Sequence, residues 1–141
     1  MVVVDANVLL YAVDSASAHH DRSRAWLDAS LAGAETVGLA WIALLAFIRI
    51  ATNPSIFPSA MTADEATTQV EAWLSAPAAV TVDPTVRHIT ILRGLLRESG
   101  VAGNLASDAH LAALAVEHAA EIVSYDRDFA RFSGVRHRLP D

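Results

Sequence analysis

Met1-Val2-Val3-Val4-Asp5-Ala6-Asn7-Val8-Leu9-Leu10-Tyr11-Ala12 is the stretch on which the fold class turns. Val2–Val4 is β-branched and apolar at every position, so neither face suits water. A strand covered on both sides belongs in the middle of a parallel sheet. Asp5 ends the run, and a helix is expected through 8–13. A strand that hands its chain to a helix is the opening of an α/β unit.

The rest of the chain repeats that alternation. A helix is expected over His20–Leu31, with Ala25, Trp26, Leu27 and Leu31 inward and Gly33 as its stop. A second strand is expected at 36–40. An almost wholly apolar helix follows over Trp41–Ala51, ended by Asn53-Pro54. Residues 63–75 read as an amphipathic helix with Ala66, Val70, Trp73 and Leu74 as its stripe. A third strand is expected at 79–82, then a helix at 85–99 with Ile89, Leu92 and Leu96 on one side. Gly100 suits that helix's C-terminal stop. Asn104 or Ser107 is the expected cap of a helix running to about Ala119. A fourth strand is expected at 121–125, a turn with one helical coil at 126–132, and an edge strand at 135–139.

The bulk properties bound the function. A chain of 141 residues fits one domain, and 53% hydrophobic residues suit a packed core. No cysteine is present, which excludes disulfides and thiolate metal sites. The longest apolar run, 37–48, is shorter than the roughly 20 residues that span a bilayer. The N-terminus carries no basic region or cleavage signal, so no signal peptide and a cytoplasmic location are expected. All ten basic residues are arginine, and the formal net charge is −6. Bulk electrostatics therefore does not hold nucleic acid here, although acids gathered around a divalent ion remain compatible with a nuclease.

Three acids stand out by position. Asp5 follows the first strand, and Asp126 follows Ile122-Val123-Ser124-Tyr125 of the fourth. Asp108 lies in the first turns of the preceding helix. Ligands of open parallel sheets bind outside the carboxyl ends of the strands, so all three can reach one crevice, with Asp128 beside them. Clustered carboxylates suit magnesium or manganese with water completing the shell. Each acid also has a plainer role: Asp5 as a helix cap, Asp108 as a complement to a helix dipole, Asp126 as a turn residue. The histidines are scattered, and His110 and His118 read as surface or packing residues. No glycine-rich phosphate loop occurs. Arg87, Arg93 and Arg97 on one helix, and Arg127, Arg131, Arg136 and Arg138 after the last acids, read first as a solvated face and second as a phosphate-guiding rim.

Four blocks carry a resemblance. Val3 through Ala12 resembles the opening strand and helix of PIN domains. Asn104-Leu105-Ala106-Ser107-Asp108-Ala109-His110 resembles their third-acid helix. Ile122-Val123-Ser124-Tyr125-Asp126-Arg127-Asp128-Phe129 resembles their last acidic turn. Trp41 through Pro54 is similar to one VapC branch. The resemblance implies a three-layer α/β/α fold around a parallel sheet. It implies magnesium- or manganese-dependent cleavage of RNA, with Asp5, Asp108 and Asp126 as catalytic metal ligands. Asp128 would join the metal set, and Asn7, Arg49 and Ser124 would face substrate. It also implies a VapB-type antitoxin and a homodimer. One position departs: where many PIN domains carry a glutamate, this chain has Ala46.

Two rival readings are weighed. A haloacid-dehalogenase-like phosphatase also places Asp at the end of its first strand. It needs a second Asp where Asn7 stands, and a lysine that this chain lacks. A PIN fold that holds RNA or a protein without cutting is the other, and Ala46 favours it.

Overall fold

The computed structural model describes residues 1–100 and 105–141. Its elements run β1 (Val2–Val4), α1 (Ala6–Val13), α2 (His20–Leu31), β2 (Val37–Leu39), α3 (Trp41–Ala51), α4 (Ala63–Leu74) and β3 (Ala79–Thr81). They continue with α5 (His88–Ser99), α6 (Leu105–Glu117), β4 (Glu121–Val123), a 3-10 turn (Arg127–Arg131) and β5 (His137–Arg138). The five strands form one sheet in the order β3-β2-β1-β4-β5, and every pairing is parallel.

Alternation along β1 assigns the two layers. Val2 and Val4 point into a core shared with α1, α2, α3 and α4, where Leu9, Leu27, Leu44 and Phe47 are buried. Val3 points the other way, into a core with α5 and α6 that contains Ile122, Leu114, Phe129 and Phe132. The expected three-layer α/β/α architecture is therefore present. Gly38 of β2 faces that second core. A Cβ there would stand 2.9 Å from Val82 Cγ1 and 3.2 Å from the Val2 carbonyl oxygen, so only glycine lets β2 lie this close.

β1 is the pivot of the fold. It pairs Val2 with Val37 on one side, and Val2, Val3 and Val4 with Glu121, Ile122 and Val123 on the other. The chain order runs outward in both directions from the β1–β4 seam. That seam is the topological switch point, where the loops part and leave a crevice at the strand carboxyl ends.

Some expectations need correction. Ala25 of α2 is exposed and Ser23 is buried in its place; Ser23, Trp26, Leu27 and Ser30 share the inner face at helical spacing, and Ala25 lies across from it. The fifth helix begins at His88 and not at 85, because Asp83-Pro84 holds the chain extended and Thr85 donates its backbone N–H and hydroxyl to Glu117. Ile89, expected on the inner side, is 60% exposed, and Leu95 is the buried residue of that helix. Ser107 sits inside the first turn of α6 and is not its cap. Asn104, the other expected cap, lies outside the described residues.

Candidate active site

Asp5 is where the strand hands over to the helix, and its side chain serves both. It is the N-cap of α1, with Oδ1 accepting from the Ala6 N–H at 2.8 Å. Oδ2 accepts from the Ser124 hydroxyl at 2.6 Å and from Asn7 Nδ2 at 3.3 Å. The capping role and the site role are thus held by two different oxygens of one carboxylate. Parallel pairing explains the meeting with Ser124: the Asp5 N–H donates to the Val123 carbonyl across the seam at 3.0 Å.

Ser124 is fully buried and is the hub of the site. Its hydroxyl donates to Asp5 and accepts from Asn7 Nδ2 at 3.0 Å and from the Asp126 N–H at 2.9 Å. Asn7 Oδ1 accepts from the Tyr125 N–H at 3.2 Å, so one amide side chain clamps the end of β4 to the start of α1. Asp126 caps the 3-10 turn by accepting from the Asp128 N–H at 2.8 Å. Asp128 points to solvent and pairs with Arg131 at 3.2 Å.

The acids share one electrostatic environment. Burial raises the carboxyl pKa of Asp5 above its ordinary 3.8, and the charge of Asp126 adds to the rise. The Ser124 and Ala6 hydrogen bonds and the His137 ring act against it. Asp108 rises from 3.8 to about 6, through burial first and then the charges of Asp126, Asp5 and Asp128, with Arg131 opposing. Three carboxylates, one at the start of α1 and two at the 3-10 turn, therefore press on the fourth. A group held this way at a strand-end crevice is a functional-site signature.

Asp5 and Asp108 line one small cavity of about 140 Å³, together with Ile42, Ala43, Ala46 and Ser107. Ala46 lies on its wall, which is where the resemblance puts the departing position. Arg49, one turn further along α3, is exposed and outside this lining. Larger hollows lie elsewhere. One, of about 590 Å³, is bounded by Trp26, Arg22 and Arg138, and its arginines are already paired with Asp141, Glu35 and Glu121. A second, of about 510 Å³, lies between α1, α2 and α4, and a third, of about 310 Å³, lies between α3 and α4. None of these is lined by Asp5, Asp108 or Asp126, and the smaller cavity is the one that Asp5 and Asp108 line.

Among the described residues no three His, Asp or Glu side chains converge tightly enough to cage an ion unaided. The donors are nonetheless all hard carboxylate oxygens in a half-open crevice. That set fits magnesium or manganese, which keep several waters and need few protein ligands.

His137 joins the site from β5, with no signal in the sequence to place it there. Its Nε2 lies 3.0 Å from the Ser124 carbonyl oxygen and its charge is felt by Asp5. A two-residue edge strand leaves too little periodicity to place a side chain. His110 proves to be a packing residue: its Nδ1 lies 2.9 Å from His88 Nε2, and His88 Nδ1 lies 2.5 Å from Glu117, which ties α5 to α6. Three arginines of the expected rim are engaged in structure, Arg131 on Asp128, Arg136 on the Ala119 carbonyl and Arg138 on Glu121 and Glu35.

The PIN domain family matches residues 2–135. Ribonuclease VapC37 of Mycobacterium tuberculosis is 58% identical over 140 residues, covering 99% of this chain and 97% of that protein. Ribonuclease VapC33 of the same species is 38% identical, covering 99% and 98%. In shape, the VapBC2 structure from Rickettsia felis, solved with a promoter DNA fragment, matches with a TM-score of 0.73 at 19% identity, covering 100% of both chains. Mycobacterium tuberculosis VapC20, described as a sarcin-ricin loop cleaving toxin, matches at 0.68 and 15% identity, covering 96% and 99%. The order of acids, the seam that joins them and the likeness along the whole chain agree: the chain belongs to the PIN-domain family and, within it, to the VapC ribonucleases.

Proposed function

We propose that the protein is a ribonuclease that hydrolyses RNA phosphodiester bonds with a divalent metal ion, and that it is the toxin of a toxin–antitoxin pair. The supporting observation is the convergence of Asp5, Asp108 and Asp126 at the β1–β4 seam, with the Asp108 carboxyl pushed up to about 6 by burial first and by its acidic neighbours second. Asp5, Asp108 and Asp126 would hold magnesium or manganese, and Asp128 would brace the open side. Such an ion activates water and offsets charge on the phosphodiester. Ser124 and Asn7 keep Asp5 and the Asp126 backbone fixed through the hydrogen bonds that join them. Arg131 pairs with Asp128 and its charge reaches Asp108, and Arg49, outside the cavity lining, would face substrate at the rim.

A VapB-type antitoxin would bind the chain and silence it, and the active form would be a homodimer. Solved neighbours such as the VapBC assembly of Salmonella typhimurium, bound to DNA, support the antitoxin assignment. The deciding experiment is cleavage of single-stranded RNA by the pure protein with and without manganese. Each of Asp5→Asn, Asp108→Asn and Asp126→Asn is expected to lower the rate by orders of magnitude. Wild-type rates in any two of them would remove the assignment. RNA binding without cutting by the wild type would favour the non-catalytic reading that Ala46 allows. In cells, expression of the chain alone is expected to arrest growth, and co-expression of its antitoxin to restore it.

A further inference from the structure

Asn7 and Tyr11 stand four residues apart on α1, so they share one face with about 6 Å of rise between them. Asn7 touches the acids. Tyr11, one turn on, opens a second cluster that the chemistry above does not use. Its ring lies 5.3 Å from that of Tyr125, edge-on, and 5.2 Å from His19. The His19 and Tyr125 rings are 4.3 Å apart and tilted by 31°, a close inclined contact. Tyr125 itself sits between Ser124 and Asp126 in the chain.

Of the three rings, Tyr125 is fixed by a hydrogen bond. The Tyr125 hydroxyl is 2.7 Å from the hydroxyl of buried Ser23, and its backbone N–H is held by Asn7. Tyr11 is half-buried, and its carbonyl oxygen lies 2.9 Å from His20 Nδ1. His19 differs: it is exposed, and its hydrogen bonds are those of its backbone, the N–H to the Ser17 hydroxyl and the carbonyl from the Ser23 N–H. Its ring rests against Tyr125 and Tyr11, and its outer side meets solvent. A rigid aromatic stack ending in an open imidazole, one helical turn from clustered acids, is suited to receive a flat ligand.

Resting on the ribonuclease reading above, we propose that His19, backed by Tyr125 and Tyr11, is a stacking platform for one unpaired RNA base, placed so that an adjoining phosphate reaches the acids. The charge balance asks for such a contact. With a net charge of −6 and acids at the centre of the site, counterion release contributes little to holding RNA. Base stacking on an aromatic ring is independent of charge and recurs wherever proteins bind single strands.

The test uses the full-length protein and a single-stranded RNA oligonucleotide containing its cleavage site. KM and kcat are measured in magnesium, and equilibrium binding is measured separately with calcium in its place. His19→Ala is expected to raise KM and weaken binding about tenfold, with kcat within about twofold and the melting temperature little changed. His19→Tyr should restore both, because a ring and not an ionisable group is required. A series of oligonucleotides with one base removed in turn should identify one position whose loss costs the wild type and costs His19→Ala nothing further. Unchanged KM and binding in His19→Ala overturn the platform, as does an abasic series in which every position affects both proteins alike. A wild type that binds this RNA without cutting it overturns the ribonuclease reading and leaves the binding arm to decide the platform. A wild type that binds no RNA overturns both.

Discussion

At the scale of single residues, Asp108 carries a conflict between fold and chemistry. Its carboxyl titrates near 6 in the fold, against an ordinary 3.8. A raised carboxyl means that the fold prefers the protonated form. The penalty is absent below pH 3.8, grows as pH rises, and is complete above about 6. In metal-free protein, Asp108→Asn should therefore be more stable than wild type at pH 7.5 and no more stable at pH 4. The gain should be about 1 kcal/mol, because this half-exposed group is screened by solvent. Thermal melts in EDTA at the two pH values check it, and an equal difference at both would contradict the coupling. The same variant should lose cleavage, the trade of stability for activity expected of a working site. Ala46 is the converse case. On the wall it shares with Asp5 and Asp108, Ala46→Glu would add a fourth charge to a crowded crevice. We expect the metal-free protein to lose about 1–2 kcal/mol and divalent affinity to tighten about tenfold. Calorimetric titration decides; unchanged affinity with lost stability would make Ala46 merely core. Asp5 and Asp126 were legible in the sequence because each ends an apolar run. His137 was not, since only the sheet order brings β5 to Ser124.

At the scale of elements, apolar patterning located all five strands, and the differences fall at element ends. The turn from α6 into β4 shows why. Ala119 has φ 53°, the left-handed region where a Cβ is strained. Glycine would be the readable signal there, and this chain has alanine. The conformation is imposed by its neighbours: the Ala120 N–H bonds the Ala115 carbonyl at 2.8 Å, and Arg136 donates to the Ala119 carbonyl at 3.1 Å. Ala119→Gly should therefore stabilise the protein by about 1 kcal/mol, because relief of strain exceeds the added freedom of the unfolded chain. Chemical denaturation measures this, and a loss of stability would mean that the turn is not strained. At Gly38 the sign reverses. Its allowed backbone is filled by Val82 and the Val2 carbonyl, so Gly38→Ala should cost about 1–3 kcal/mol. The exposed side of Ile89 follows the same logic: an outer helix with only Leu95 fully buried gives its apolar residues no single required direction.

At the scale of the whole molecule, the sheet order decides what the sequence alone left open. Runs of apolar residues say that strands exist; only the β3-β2-β1-β4-β5 order makes β1 and β4 neighbours and so brings Asp5 to Asp126. That closeness is costly when no cation is present, and the cost makes the fold itself a reporter of metal binding. A ligand that binds only the native state adds RT ln(1 + [L]/Kd) to stability, about 1.4 kcal/mol at a concentration ten times Kd. For a chain of this size that is a rise of about 4 °C in melting temperature. The rise should depend on pH in one direction. At pH 7.5 Asp108 is already ionised, whereas at pH 5 most of it holds a proton that the ion must displace. Magnesium or manganese should therefore raise the melting temperature more at pH 7.5 than at pH 5, and the gain should shrink at both in Asp108→Asn. Scanning calorimetry across the titration is the measurement. An increase of the same size in wild type and variant would place the ion elsewhere on the surface. No increase up to tens of millimolar would remove the divalent site from the β1–β4 seam, and with it the metal-dependent route for cutting RNA.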